Sequence, residues 1–140
     1  MNTTLASIAV VLLLVVFAGC AGEPKQTAPP ATPSTPAPVE LVAKGKALYA
    51  NKACGACHGA NGEGLPNVGP VLRGLYATQR ELDTGQKVTA DDAYLMESVK
   101  NPDAKTAKGF QKGMMSATVP PNSLSDEDAR ALVEYIKTLK

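Results

Sequence analysis

Amphipathic segments emerge when the apolar positions of the chain are set against the helical period. The first covers Glu40 to Asn51, with Leu41, Val42, Leu48 and Tyr49 distributed around Gly45. A missing side chain in mid-helix lets a second helix approach closely. The second begins at Thr89, read as N-cap, with Asp91 and Asp92 in its first turn, and runs through Tyr94, Leu95, Met96 and Val99 until Asn101-Pro102 stops it. The third is the clearest. Ser125 caps it, Asp126, Glu127 and Asp128 suit its positive end, and Lys137 and Lys140 its negative end. Ala129, Leu132, Val133, Ile136 and Leu139 recur at helical spacing, a face able to cross the Gly45 helix. Between the first two, Arg80 to Val88 contains Asp83-Thr84-Gly85 and reads as a short hairpin or loop. There is no internal repeat, and the pattern predicts an all-α domain over residues 40–140.

Upstream the pattern changes kind. Leu5 to Ala18 is apolar apart from Ser7 and ends in Phe17-Ala18-Gly19-Cys20. It resembles a bacterial lipoprotein signal, which implies cleavage after residue 19 and a lipid on the Cys20 thiol. The segment departs from that pattern in carrying no Lys or Arg before Leu5 and in having Phe17 where Leu is commoner. An uncleaved membrane anchor is the other reading, since about 18 residues suffice to span a bilayer. Residues 20–39 then carry Pro24, Pro29, Pro30, Pro33, Pro36 and Pro38 among Ala, Thr and Ser. They read as an extended tether of roughly 50 to 60 Å at about 3.1 Å per residue, or as disordered filler of no set length.

Composition adds a constraint to the downstream domain. At about 100 residues it is small for a self-sufficient apolar core, and the chain has no tryptophan. Fourteen basic and thirteen acidic residues leave a formal net charge of +1. That balance gives no support for nucleic-acid binding or strong global steering.

The candidate chemistry lies at Cys54-Gly55-Ala56-Cys57-His58. In an exported chain, thiols three apart followed at once by an imidazole read as covalent attachment of haem c. Each cysteine can add across a vinyl group of one porphyrin, leaving His58 beneath the iron. Chance would produce roughly 0.0005 such patterns in a chain of this composition. Zinc and thiol-disulfide chemistry are the competing readings. Zinc lacks ligands, because Cys20 is far upstream and His58 is the only histidine. A redox pair should follow a strand, whereas a helical segment precedes Cys54. A covalent porphyrin would also supply apolar mass to the small domain, which is then expected to fold poorly without it.

A filled sixth position on iron carries electrons, whereas an open one does chemistry. With no second histidine, the sixth ligand is a methionine, a weaker donor such as lysine, or nothing. Met96 reads as packing on the second helix. Met114 and Met115 lie in a loop-like stretch between Gly113 and Pro120-Pro121, placed to fold over the opposite haem face. A thioether there favours ferrous iron and raises the potential.

The domain resembles class I cytochromes c, from the Gly45 helix through Cys54–His58 to the final helix. Within that family it is most similar to the cytochrome c domains of bacterial haem-copper oxidase subunit II. The stretches that carry this are Val68-Gly69-Pro70-Val71-Leu72-Arg73-Gly74-Leu75-Tyr76, Val88-Thr89-Ala90-Asp91-Asp92-Ala93-Tyr94-Leu95 and Leu124-Ser125-Asp126-Glu127 leading into Leu132-Val133-Glu134-Tyr135-Ile136. It is also similar to the lipoprotein mono-haem subunit of alternative complex III. The resemblance implies a fold in which terminal helices cross around one haem, and a Pro70 carbonyl that accepts from the Nδ1–H of His58. Relatives carry Met-Pro at the distal ligand where this chain has Met114-Met115-Ser116. Aligning Ser116 with that proline favours Met115, with Met114 the alternative. A single histidine cannot build the copper centre of an oxidase subunit II.

Arg73 and Arg80 fall near the expected haem edge, as partners for propionates or as solvated surface. Lys100, Lys105, Lys108 and Lys112 either guide an acidic partner or form a solvated face. The expected function is one-electron transfer, not enzymatic catalysis, by a lipid-anchored mono-haem cytochrome on the periplasmic face of the cell membrane. Its partners in a respiratory or photosynthetic chain would be a quinol-oxidising complex, bc-type or alternative complex III, and a terminal oxidase or other acceptor. The other readings are an integral subunit of alternative complex III, and a haem enzyme or gas sensor with open iron.

Overall fold

The computed structural model describes residues 37–140. The expected signal at residues 1–19, the lipidation site Cys20 and nearly all of the proline-rich tether lie outside the described residues. No helix among the described residues is long and apolar enough to cross a membrane.

The first helix, α1, spans Pro38–Asn51 and so begins inside the stretch assigned to the tether. Proline suits a first helical position, where its fixed φ is already helical and its missing N–H is not needed. Glu40 reinforces the start by accepting from the backbone N–H of Ala37 at 3.2 Å. A single turn, α2 (Gly55–His58), follows, and then a long connection reaches the hairpin of β1 (Gln79–Glu81) and β2 (Lys87–Thr89). Arg80 pairs with Val88 across this hairpin, the only strand pair among the described residues of a largely helical fold.

Helix α3 spans Asp92–Lys100. Its N-cap is Asp91, not Thr89, because the Asp91 carboxylate accepts from the Tyr94 N–H at 2.8 Å. Thr89 instead closes β2, its hydroxyl accepting from the Gln79 side chain at 2.9 Å. The stretch expected as a loop around Met114 and Met115 forms a short helix, α4 (Met114–Thr118). The last helix, α5, spans Asp126–Thr138 with Ser125 accepting from the Asp128 N–H at 3.1 Å.

The core is assembled where α1 crosses α5. Leu41, Gly45 and Tyr49 are the buried positions of α1. Gly45 lies directly on the α5 backbone: a Cβ there would overlap the Ala131 carbonyl oxygen and stand 2.8 Å from the Tyr135 Cβ. The crossing thus uses Ala131 and Tyr135, which the expected apolar face of α5 omitted. Leu132 and Val133 are each only 2 % exposed and pack with Leu95 and Val99 of α3. Tyr49 meets Tyr135 edge-on, with ring centroids 5.4 Å apart. At the rim Lys44 of α1 pairs with Glu127 at 2.6 Å and Asp128 at 2.8 Å. Lys137 of α5 pairs with Asp92 of α3 at 2.9 Å. Such exposed pairs orient the elements, while apolar burial supplies most of the cohesion.

Candidate functional site

The end of α1 creates the geometry of the Cys54–His58 turn. Ala53 takes a positive φ of 54°, which turns the chain out of α1 and into α2. The Cys54 N–H then donates to the Tyr49 carbonyl at 3.0 Å, and the His58 N–H to the Cys54 carbonyl at 2.9 Å. One helical turn therefore presents Cys54, Cys57 and His58 on the wall of one cleft. The Tyr49 hydroxyl secures its far end by donating to the Gly59 carbonyl at 2.7 Å.

His58 is nearly buried, at 9 % exposure. The Pro70 carbonyl lies 2.9 Å from its Nδ1, and a carbonyl can only accept, so Nδ1 carries the proton. Burial holds the imidazole below its usual pKa, against the opposing effect of that hydrogen bond. The neutral ring consequently leaves an unprotonated Nε2, the form that ligates a metal. Gly69 permits this approach, because a Cβ there would press into the Cys57 backbone, 2.7 Å from its carbonyl carbon.

The cleft encloses about 1200 Å³, counting its open mouth. Leu72, Leu75, Leu95, Val99, Leu132 and Ile136 give it apolar walls, and both Met114 and Met115 stand on them. Met114 is 38 % exposed, whereas Met115 is partly buried and packs against the core. Met96 also packs against the core and is absent from the cleft wall. Arg80 is on the wall and donates to the Val71 carbonyl at 2.8 Å. Arg73, treated like Arg80 in the sequence, is directed elsewhere: it sits outside the cleft wall and faces Glu63 at 3.8 Å.

The donor set fits haem. The cysteines are not joined to each other, and burial pushes the Cys54 thiol above its usual pKa, opposite to what a reactive redox thiol requires. No group of three or more His, Cys, Asp or Glu side chains among the described residues is arranged to hold a bare metal ion. Ser98, on the cleft wall, has the one buried side-chain polar atom among the described residues that finds no partner. An apolar cleft with a neutral imidazole, paired thiols, thioethers and one unmatched hydroxyl suits a large planar group with a polar centre or rim. Sequence reasoning missed Ser98, Gly69 and the role of Tyr49. For Gly69 a signal existed, glycine directly before the expected acceptor Pro70; a serine on a helix offers none.

Tyr49 provides a test of the scaffold. Its phenol is pushed up to about 12, chiefly by burial. The folded state therefore keeps a proton that the unfolded chain loses near pH 10, and stability falls as pH rises from about 10 to 12. Tyr49→Phe is expected to reduce stability at neutral pH, where the Gly59 carbonyl loses its donor, by about 1 to 3 kcal/mol, read as a lower thermal midpoint. It is also expected to flatten the alkaline decline. An unchanged decline would show that another group causes it.

Residues 42–140 match the protein family described as "Cytochrome c". The chain is 31% identical over 99 residues to cytochrome c-551 of Ectopseudomonas mendocina, covering 70% of this chain and 100% of the relative. It is also 31% identical over 100 residues to cytochrome c-551 of Stutzerimonas stutzeri, covering 71% of this chain and 81% of the relative. The chain belongs to the cytochrome c family, with one covalently bound haem c as its cofactor and electron transfer as its activity.

Proposed function

We propose that this chain is a membrane-tethered carrier on the periplasmic face, taking electrons from a quinol-oxidising complex, bc-type or alternative complex III, and passing them toward a terminal oxidase. The observation that carries the electron-transfer part of this reading is the placement of buried His58, its Nδ1 held 2.9 Å from the Pro70 carbonyl, on the same cleft as Met114 and Met115. An imidazole and a thioether of this chain would then both be available to hold a bound iron. Cys54 and Cys57 would hold the porphyrin through thioether bonds, His58 through Nε2 and Met115 through its sulfur. When bound, haem c supplies a one-electron couple at iron. The Pro70 carbonyl keeps the imidazole oriented and electron-rich, while the apolar walls exclude water. Arg80, on the wall, is the better placed of the two arginines to offset propionate charge.

The resemblance of the Val68–Tyr76, Val88–Leu95 and Leu124–Ile136 stretches to oxidase subunit II domains and to the alternative complex III subunit is the ground for proposing respiratory partners. Charge suggests how they dock. Lys100 pairs with Asp126, Lys105 with Glu97 at 2.5 Å and Lys108 with Glu81 at 2.7 Å. Of the four lysines singled out in the sequence, Lys112 alone has no ion pair among the described residues, and Lys52 shares that freedom on the cleft wall. Reversing both to Glu is expected to slow oxidation of the reduced full-length protein by oxidase-containing membranes about tenfold at low salt, with the difference fading as salt rises. Equal rates at every salt would remove this docking mode. In the same preparations Cys20→Ser should abolish incorporation of labelled fatty acid and leave the chain uncleaved before residue 20 if Cys20 bears the lipid. Stable co-purification with several membrane subunits in mild detergent would favour a fixed subunit over a diffusing carrier.

A further inference from the structure

The segment carrying the methionines is held by a residue that neither the motif nor the family match singles out. Asp103 lies just beyond the Asn101-Pro102 stop of α3, eleven positions before the first residue of α4. One carboxylate oxygen accepts from the Gly113 N–H at 2.9 Å and the other from the Ser116 hydroxyl at 2.8 Å. Gly113 and Ser116 flank Met114 and Met115 on either side, so one side chain grips the methionine turn at both ends. The Gly113 carbonyl lies 3.1 Å from the same Ser116 hydroxyl and competes for its single proton at the longer distance.

We propose that Asp103 is a positioning residue for the sixth ligand: its carboxylate clamps the α4 turn from both sides and so determines how firmly the Met115 thioether is presented to the cleft. The proposal rests on the reading of Met115 as axial ligand. Its physical basis lies in what stands at position 116. A proline there would stiffen the turn through its ring, but would also disfavour helical backbone at the residue before it, and Met115 lies within α4. Serine leaves Met115 helical and gives up the ring's rigidity. The hydrogen bonds to Asp103 restore order by tying α4 to the segment after α3. The N-terminal end of α4 has no side-chain cap of its own, since Gly113 brings no side chain, and α4 buries no residue fully. The Asp103 carboxyl is held below its usual pKa by the Ser116 hydroxyl first and the Gly113 N–H second, consistent with both bonds favouring the charged form.

The test uses the full-length haem-loaded protein and the variants Asp103→Ala, Ser116→Ala, Ser116→Thr and Met115→Ala. The readouts are carbon monoxide association with the ferrous form, which requires the thioether to leave, and the near-infrared sulfur-to-iron band of the ferric form. Asp103→Ala is expected to admit carbon monoxide roughly fivefold faster than the parent and to weaken the band, since a charge-assisted hydrogen-bond pair no longer opposes ligand departure. Ser116→Ala, which removes one arm and keeps the other, should show a smaller change in the same direction, and Ser116→Thr should return to the parent rate. If Asp103→Ala fails to fold, the Ser116 pair decides alone. Parent-like rate and band in Asp103→Ala and Ser116→Ala, with the band lost in Met115→Ala, would overturn the clamp while leaving the ligand assignment intact. A band that survives Met115→Ala would overturn the ligand assignment and the proposal with it.

Discussion

Met115→Ala is expected to remove the sulfur-to-iron band of the ferric protein, to lower its reduction potential by at least about 100 mV and to open the ferrous protein to rapid carbon monoxide binding. The size follows from the ligand chemistry: axial ligands move haem potentials over a range of about 0.8 V, and thioether sulfur stabilises the ferrous state. At about 59 mV per decade for one electron, 100 mV corresponds to roughly fifty-fold in electron sharing with a partner, enough to stall transfer to an acceptor of matched potential. The structure favours Met115 over Met114 because Met115 is partly buried and packs against the core whereas Met114 is 38 % exposed, although both stand on the cleft wall. A band that persists in Met115→Ala and disappears in Met114→Ala would reverse the assignment. A parent protein that lacks the band and binds carbon monoxide quickly would return the site to an open iron and to enzyme or gas-sensing chemistry.

The second large effect is on folding, and its sign is the informative part. Helix propensity alone makes Gly45→Ala stabilising by about 1 kcal/mol. At this crossing the added Cβ would overlap the Ala131 carbonyl oxygen and come within 2.6 Å of its carbon. These atoms belong to the α5 backbone, so no side-chain rotation relieves the clash and the helices must separate. Overpacking of this kind costs about 1 to 3 kcal/mol or more, and backbone contact places Gly45→Ala at the upper end. The net expectation is a loss of about 2 kcal/mol and a melting temperature lower by roughly 10 °C in a domain of this size. Ala50→Gly, at an exposed position of the same helix, should cost only about 1 kcal/mol. A Gly45→Ala protein that melts above the parent would show that α1 and α5 do not cross so closely in solution.

Much of this architecture was legible in the chain. Gly45, the Ser125 cap and the apolar spacing of Ala129, Leu132, Val133 and Ile136 express local rules, in which a residue's neighbours along the chain decide its fate. The chemistry of Cys54, Cys57 and His58 was legible for the same reason, since a single helical turn brings them together. Where local rules competed, sequence reasoning went astray. Thr89 and Asp91 are both plausible caps, and pairing of β2 with β1 claimed Thr89. The Met114–Thr118 segment, with Gly113 before it and prolines after it, reads as a loop. In the structure it is a short helix gripped by Asp103, a partner ten or more positions away.

By itself, then, the sequence determined the helical class and the turn that presents Cys54, Cys57 and His58 together, because each rests on contacts within a few residues. Tertiary structure decided the rest. Arg73 and Arg80 are the same residue type on the same stretch, yet one faces Glu63 and the other lines the cleft, a difference set by how the chain folds back around Pro70. Ala131 and Tyr135 became the contact for Gly45, and Ser98 was left as an unmatched hydroxyl in an apolar wall. Burial and partnership at these positions depend on elements distant in sequence, and neither residue type nor spacing encodes that distance.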